Sequence, residues 1–331
     1  MTKERYLVTG SAGFVGSNLV RLLVEQGVLV RALVRPGGQK LDADYEGVEI
    51  VEGDFSDPDI LPSLLEGITG VYHIAALFRQ QGFPEDVFRR INADGVKILL
   101  DACVKAGIKR FIHCSTVGVL GHIEHPPADE NTPYQPGDIY QQTKMEGELI
   151  ALDYFRSGKI TGNVIRPGMV YGPGDMRTLK LFSMISKGTF FYVGQGEATV
   201  HFVDVRDLAR SFILAMEKTE VNGEVFIIAG DTVMPLKDLA KIIAEKCNVR
   251  KPWIKLPVKP MQWAGGLCEM VCAPFGIEPP LYRRRVDFFT KDRSFNTEKA
   301  RRLLGFKSKL SVSEEVDDII EWYKENNFIK K

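Results

Sequence analysis

Between Tyr6 and Val34 the chain has little conformational choice. A short apolar run, Tyr6-Leu7-Val8, leads into Thr9-Gly10-Ser11-Ala12-Gly13-Phe14-Val15-Gly16. Val15, Leu19, Leu22 and Leu23 then recur at helical spacing, Gly27 stops the helix, and a second apolar run ends at Val34. Strand, glycine turn, helix and strand in this order form a parallel βαβ unit. Glycines at three-residue spacing let a pyrophosphate approach the backbone, where open N–H groups and the positive end of the helix hold it. Alone, such a triplet marks only a tight turn. In this setting it predicts a dinucleotide site at Gly10, Ala12, Gly13, Phe14, Val15 and Gly16.

The end of the second strand speaks to which dinucleotide. An acid there takes the ribose hydroxyls of NAD, whereas a nearby arginine suits the 2′-phosphate of NADP. Counting from the glycines puts Val34 in the acid's place, with Arg35 next and Lys40 a little further on. This favours NADP over NAD, against the plainer reading of Arg35 as a solvated charge at a strand end.

The rest of the chain sets broad limits. Its 331 residues suffice for two or three domains, and 43 basic and 43 acidic residues cancel, so no net field recruits nucleic acid or an anionic membrane. Cys103, Cys114, Cys247, Cys268 and Cys272 form no C-x-x-C pair and read as reduced thiols of a cytoplasmic protein, with no metal site. The first strand starts at residue 5 or 6, so no signal peptide is expected. The longest apolar stretch, 263–275, is interrupted by Glu269 and Pro274, so no membrane span is expected.

Further strands are predicted at 48–55, 70–76, 110–116 and 163–173, with helices at 57–65, 85–105 and 140–156 between them. That alternation predicts a doubly wound parallel α/β sheet of Rossmann type, with ligands at the C-terminal strand ends. Asp54, Phe55, Ala75, Ala76, Leu77, Ser115 and Thr116 fall at or just beyond such ends. Residues 117–138 read as a long loop. Beyond 171 the pattern loosens: a helix at 179–187, strands at 190–193 and 200–205, a helix at 207–217, a strand at 224–229, then helical pieces broken by prolines. The expected division is a dinucleotide-binding domain over 1–170, rejoined by 203–230, and a smaller, mostly helical substrate domain over 171–202 and 231–331.

Tyr140 and Lys144 share one face of a helix. A free phenol, with a pKa near 10, is too weak a base at neutral pH. A nearby ammonium, helped by a positively charged nicotinamide, brings it towards working range. The same lysine can grip the nicotinamide ribose, and a hydroxyl of Ser115 or Thr116 can orient the substrate oxygen. A lone Y-x-x-x-K is a common accident. Behind a glycine cofactor turn, and 24 residues after hydroxyls that end a strand, it carries weight.

These motifs resemble the extended short-chain dehydrogenases/reductases, which include nucleotide-sugar epimerases and dehydratases, dihydroflavonol reductases and 3β-hydroxysteroid dehydrogenases. The resemblance covers nearly the whole chain. It rests on the glycine turn, Gly53-Asp54, His73-Ile74-Ala75-Ala76, Ser115-Thr116, Tyr140 with Lys144, Arg166-Pro167 through Pro173, Phe202-Val203-Asp204 through Leu208-Ala209, and Phe295 through Gly305. It implies Tyr140 as general acid/base, Lys144 as its partner, Thr116 (five residues before Gly121) as the catalytic hydroxyl and Ser115 as its support. It implies Asp54 at the adenine, Ala75 and Ala76 along the cofactor backbone, and Pro167 with Val170 on the nicotinamide side. A homodimer through the helices at 85–105 and 140–156 is a further family expectation.

Departures from the family narrow the reaction. The 4,6-dehydratases carry an Asp-Glu pair directly after the catalytic threonine; here those positions are Val117 and Gly118, which rejects sugar dehydration. Nucleotide-sugar epimerases often place a diphosphate-clamping arginine before the Val-x-Val-x-Asp-Leu-Ala stretch. None stands in Gly196–Phe202, leaving Arg177, Arg210 or the run Arg283-Arg284-Arg285 as substitutes. The apolar stretch 253–275, with Met261, Trp263, Leu267, Met270 and Val271, more closely resembles the reductases and the sugar-epimerase-like proteins associated with hopanoid pathways. It reads either as a lid over substrate or as plain packing. The sequence therefore favours an oxidoreductase moving hydride between a nicotinamide and a small-molecule secondary alcohol or ketone. A nucleotide-sugar epimerase with tightly bound NAD is the alternative, and a non-catalytic cofactor sensor the minor one. His73, His113, His122, His125 and His201 read as packing or accident rather than ligands.

Overall fold

A computed structural model describes residues 4–41, 45–78, 83–272 and 283–330, with backbone only at 269, 271 and 283–285. Strands β1 (Arg5–Thr9), β2 (Leu29–Val34), β3 (Val48–Glu52), β4 (Gly70–His73), β5 (Arg110–Cys114) and β6 (Thr161–Pro167) come first. Between them run α1 (Phe14–Glu25), α2 (Leu61–Leu65), α3 (Glu85–Arg89), α4 (Gly95–Lys105) and α5 (Ile139–Arg156). Next come β7 (Met169–Tyr171), α6 (Leu179–Ser186), β8 (Tyr192–Val193), β9 (Thr199–Val200), β10 (Phe202–Asp204), α7 (Val205–Glu217) and β11 (Val225–Ile228). The remainder is β12 (Met234–Pro235), α8 (Leu236–Lys246), β13 (Lys255–Leu256), α9 (Val258–Cys272), α10 (Arg283–Thr290), α11 (Glu298–Leu304) and α12 (Val312–Glu325).

The main sheet is seven-stranded and parallel, in the order β11-β6-β5-β4-β1-β2-β3. Both faces are covered, which is why β1 is an unbroken apolar run rather than an alternating one. Leu7 and Val8 point to opposite faces. Val8 joins Leu19, Leu23 and Phe212 on the α1 and α7 side, while Leu7 joins Leu64, Leu99 and Phe155 on the α2, α4 and α5 side. A third cluster, with Tyr171, Phe182, Leu239, Ile243, Ile319 and Tyr323, holds α6, α8 and α12 together. The chain leaves β1 for β2 and β3 on one side and crosses to β4 on the other. The crevice beyond β1 and β4 is thus the topological switch point where such sheets take ligands.

Several elements differ from the pattern-based expectation. Helix 85–105 is broken by a π turn at Arg90–Asp94, which turns Asn92 inward. The strand expected at 200–205 is split at His201. The His201 imidazole meets the Gly230 carbonyl through Nε2 at 2.6 Å and accepts the Phe295 N–H on Nδ1 at 3.2 Å, so its proton lies on Nε2. Residues 117–138 fold back tightly, because a Cβ on Gly121 (φ 62°) would lie 1.7 Å from the Gln135 carbonyl oxygen. Of segment 203–230, β11 joins the main sheet beside β6, while β10 pairs with β7 in a separate ribbon. The prolines at 274, 279 and 280 lie outside the described residues.

Candidate active site

One cleft of about 1830 Å³ runs across the C-terminal ends of the sheet. It exceeds the roughly 300–1,000 Å³ of a single small-ligand pocket, leaving room for a dinucleotide and a second molecule. Its first half is built from backbone. Gly10 (φ 69°) packs so closely on the end of β4 that a Cβ there would lie 2.7 Å from the Ala75 nitrogen. A Cβ on Gly16 would lie 2.1 Å from the Gly10 carbonyl oxygen, so only glycine lets the first turn of α1 close on the loop. Gly13 caps α1 without a side-chain acceptor, which leaves the first-turn N–H groups open to an anion. Thr9 Oγ1 accepts the N–H groups of Ile74 and Ala75 at 3.2 Å and meets His73 Nδ1 at 2.8 Å, tying β1 to β4 beside this cradle. Ala12, Phe14, Val15, Val34, Arg35, Asp54, Phe55, Ala75, Ala76, Leu77, Pro167 and Val170 line the same cleft. The described residues thus fit a nicotinamide dinucleotide.

Ser115, Thr116, Tyr140 and Lys144 line its middle. Asp138 caps α5 by accepting the Gln141 N–H at 2.8 Å, which sets Tyr140 in the first turn, its ring edge-on to Phe78 at 5.0 Å. One turn on, Lys144 is buried and donates to the Cys114 carbonyl at 2.6 Å; desolvation pushes its pKa down. Thr116 lies just past β5, its Oγ1 accepting the Gly118 N–H at 3.0 Å. The Ser115 hydroxyl instead turns to the Glu148 carboxylate at 2.5 Å. Glu148 is fully buried. It takes three hydrogen bonds from Arg166 at 2.6, 3.1 and 3.1 Å and one from the Tyr134 hydroxyl at 2.7 Å. This network ties α5, β6 and the 117–138 loop together directly beneath the catalytic candidates. On the other flank, Asn92 holds the Leu77 N–H at 2.8 Å and carbonyl at 3.1 Å, and Thr143 Oγ1 at 3.1 Å.

The second half of the cleft is walled by side chains. Met184 comes from α6, Phe190 and Phe191 follow it, Met261 comes from α9, and Phe288 and Phe289 from α10. Lys180, Lys291, Asp292 and Arg293 supply polar groups at its margin.

A model of the NAD dependent epimerase/dehydratase family matches residues 6–229. The chain belongs to that family. Over 96% of its length it is 29% identical to a 3 beta-hydroxysteroid dehydrogenase/Delta 5-->4-isomerase of Mycobacterium tuberculosis, covering 90% of that protein. It is 27% identical over 98% of its length to sterol demethylase protein B of Methylococcus capsulatus, covering 99% of it. Among solved structures, that of gox2253 is 30% identical, with a TM-score of 0.82, and the match covers 99% of this chain and 100% of that one. The chain is accordingly an enzyme of the extended short-chain dehydrogenase type, with the doubly wound fold of that group.

Within this family member the arginines suggested for a diphosphate clamp separate. Arg210 lies off the cleft, bound to Asp207 at 2.8 Å and to the Lys307 carbonyl. Arg177 lies on the cofactor side, bonded to Asp175 and the Val170 carbonyl and stacked over Phe14 at 5.4 Å. The side chains of Arg283, Arg284 and Arg285 lie outside the described residues, as does Phe275. The stretch suggested as a lid divides: Met261 faces the cleft, whereas Trp263, Leu267 and Met270 are exposed; Val271 has no described side chain. His73 and His113 are buried and stacked at 5.5 Å, and desolvation, seconded by Lys144, keeps them neutral, with the His73 pKa lowered to about 3. Of the five cysteines none is in a disulfide. Among the described residues there is no cluster able to hold a metal and no helix long and apolar enough to cross a membrane.

Sequence reasoning missed Asn92, Glu148 and the aromatic wall. Glu148 stood in view, one helical turn past Lys144, but its role depends on Arg166 and Tyr134, which no spacing rule connects to it.

Proposed function

We propose that the enzyme is an NAD(P)-dependent dehydrogenase or reductase acting on a secondary alcohol or ketone carried by a bulky, largely apolar molecule. The observation that carries this reading is the wall of the substrate half, where Met184, Phe190, Phe191, Met261, Phe288 and Phe289 come together. An aromatic-lined cavity rewards apolar surface and gives little to a hydrated sugar diphosphate. The steroid and sterol names of two relatives agree with it. In this reading the bound nicotinamide supplies the hydride acceptor or donor. Tyr140 moves the proton at the substrate oxygen, Thr116 holds that oxygen, and Lys144, its ammonium desolvated beside the Cys114 carbonyl, favours the phenolate and grips the ribose. Ser115 acts behind them, locked to Glu148.

Arg35, exposed just past β2 and directly after Val34, where an acid would stand, favours NADP. The reading includes a cytoplasmic homodimer through the helical segments at 85–105 and 140–156. The epimerase reading keeps one observation in its favour: Lys291 and Arg293 at the cleft margin could take a diphosphate.

The cofactor carried by the purified protein separates the two. Exchangeable cofactor, preference for NADPH and net reduction of an apolar cyclic ketone are expected. NAD that survives dialysis, with no net reduction of added ketones, would refute the reductase reading. Tyr140→Phe is expected to lower turnover by about 10²–10⁴-fold while leaving cofactor affinity nearly unchanged. Substantial residual turnover would remove Tyr140 from its role.

A further inference from the structure

Helix α9 has two faces. At about 100° per residue, Trp263, Leu267 and Met270 fall within about 60° of one another, while Met261 and Gly265 lie on the opposite side. The structure agrees: Met261 lines the cleft and Gly265 is buried, whereas Trp263 is 80%, Leu267 61% and Met270 71% exposed. Trp253 and Ile254, just before β13, are 67% and 39% exposed. Scattered apolar residues on a surface are ordinary, but a tryptophan-led stripe along one helix face is not.

Charge says what covers it. Between Glu245 and Glu269 the chain carries Lys246, Arg250, Lys251, Lys255 and Lys259 and no acidic residue. Lys246 is paired with Asp317 and Lys251 with Glu245 at 2.9 Å, while Lys255 donates to Gln195 and the Arg250 guanidinium lies 5.8 Å over the Trp253 ring. The whole chain is neutral, yet this segment is locally cationic. Exposed tryptophan and leucine beside lysine and arginine is the composition of a helix lying in the headgroup region of a lipid surface.

We propose that the 250–270 segment docks the enzyme on the surface of an anionic lipid bilayer, with Trp263, Leu267 and Met270 entering the headgroup boundary and Arg250, Lys255 and Lys259 facing lipid phosphates. Docking does not depend on the reaction assigned above. Its consequence, that the cleft behind Met261 takes its apolar alcohol or ketone from the lipid phase, does rest on that reading.

The test uses the full chain and sedimenting vesicles of phosphatidylcholine, with or without about one-third phosphatidylglycerol. Binding is expected to the anionic vesicles only, weakened about tenfold or more by half-molar salt. The triple variant Trp263→Ser/Leu267→Ser/Met270→Ser is expected to lose binding at least about tenfold, and Lys255→Glu/Lys259→Glu to do likewise. Both should keep the wild-type melting temperature and cofactor affinity. Wild-type protein left in the supernatant, or a stripe variant that binds as well as wild type, overturns the proposal. So does a wild type that ignores vesicles while the stripe variant alone turns from dimer to monomer in light scattering, since a second copy then covers the stripe. Vesicle binding without ketone reduction would instead refute the reaction and leave docking standing.

Discussion

The two halves of the cleft are made of different material. The cofactor half is backbone: glycine turns, strand ends and the first turn of α1, pressed so close that a single methyl group would collide. The substrate half is side chain, with methionines from α6 and α9 and aromatic rings from α10 and the stretch after α6, all well beyond β6. A backbone site tolerates few residues and therefore advertises itself in the sequence. A side-chain wall accepts many combinations of apolar residues of similar bulk and leaves no such signature. The two halves should accordingly fail in different ways.

The largest effect is expected at the floor beneath both. Glu148→Ala leaves the Arg166 guanidinium, 1% exposed, without its carboxylate. A loss of about 3–5 kcal/mol in stability is expected, measurable by urea unfolding. A variant within 1 kcal/mol of wild type would show that the network is dispensable. Gly16→Val strikes the cofactor half alone. With no space beside the Gly10 oxygen the cradle cannot close, and cofactor affinity should fall about 100-fold or more, the equivalent of some 3 kcal/mol. Isothermal titration checks it, and retained affinity would mean that the pyrophosphate binds elsewhere. Phe288→Ser strikes the other half. KM for an apolar ketone should rise about tenfold with cofactor affinity unchanged. A change in both would dissolve the distinction between the halves.

The smallest effect concerns the seam between them. The Tyr171 hydroxyl, at the end of β7, donates to Glu315 of α12. Burial, reinforced by Asp204 and Asp207, raises the Glu315 pKa to about 7. A carboxyl whose pKa is higher folded than unfolded binds more protons when folded between those two values. Its contribution to stability is therefore greatest at low pH and declines as pH rises from about 4.5 through about 7. The buried histidines pull the other way below their ordinary value of 6.5, so the informative quantity is the difference between wild type and Glu315→Gln. That difference in melting temperature should shift in favour of the glutamine variant between pH 5 and pH 8. A constant difference would place the Glu315 pKa outside this window.

How far the fold was legible follows the same division. The order of strands and helices through β6 could be read because the strands are short runs rich in apolar residues and the longer helices repeat at 3.6 residues. The π turn at Arg90–Asp94 could not, since one extra residue in a helix leaves the apolar pattern almost intact. The break at His201 was hidden for a similar reason: Val200 and Phe202 continue the apolar run while the partners that split it, Gly230 and Phe295, come far later in the chain. Tyr140 and Lys144 could be placed on one helix face by their spacing. Glu148 with Arg166, and Asn92 with Leu77, are contacts across elements, invisible until the elements pack.

The seam also carries a consequence for synthesis. The segment that follows β7, where cofactor half meets substrate half, is held from α12: Tyr171 by Glu315, and the Asp175 carbonyl by Tyr323. Arg206, at the start of α7, reaches the same helix through Asp318 at 2.6 Å. Strands β1 to β6 can pair as they leave the ribosome, but these clamps come from residues made more than a hundred positions later. A nascent chain therefore has its cofactor cradle long before it has a finished cleft, and α12, made far later, is the helix that closes it.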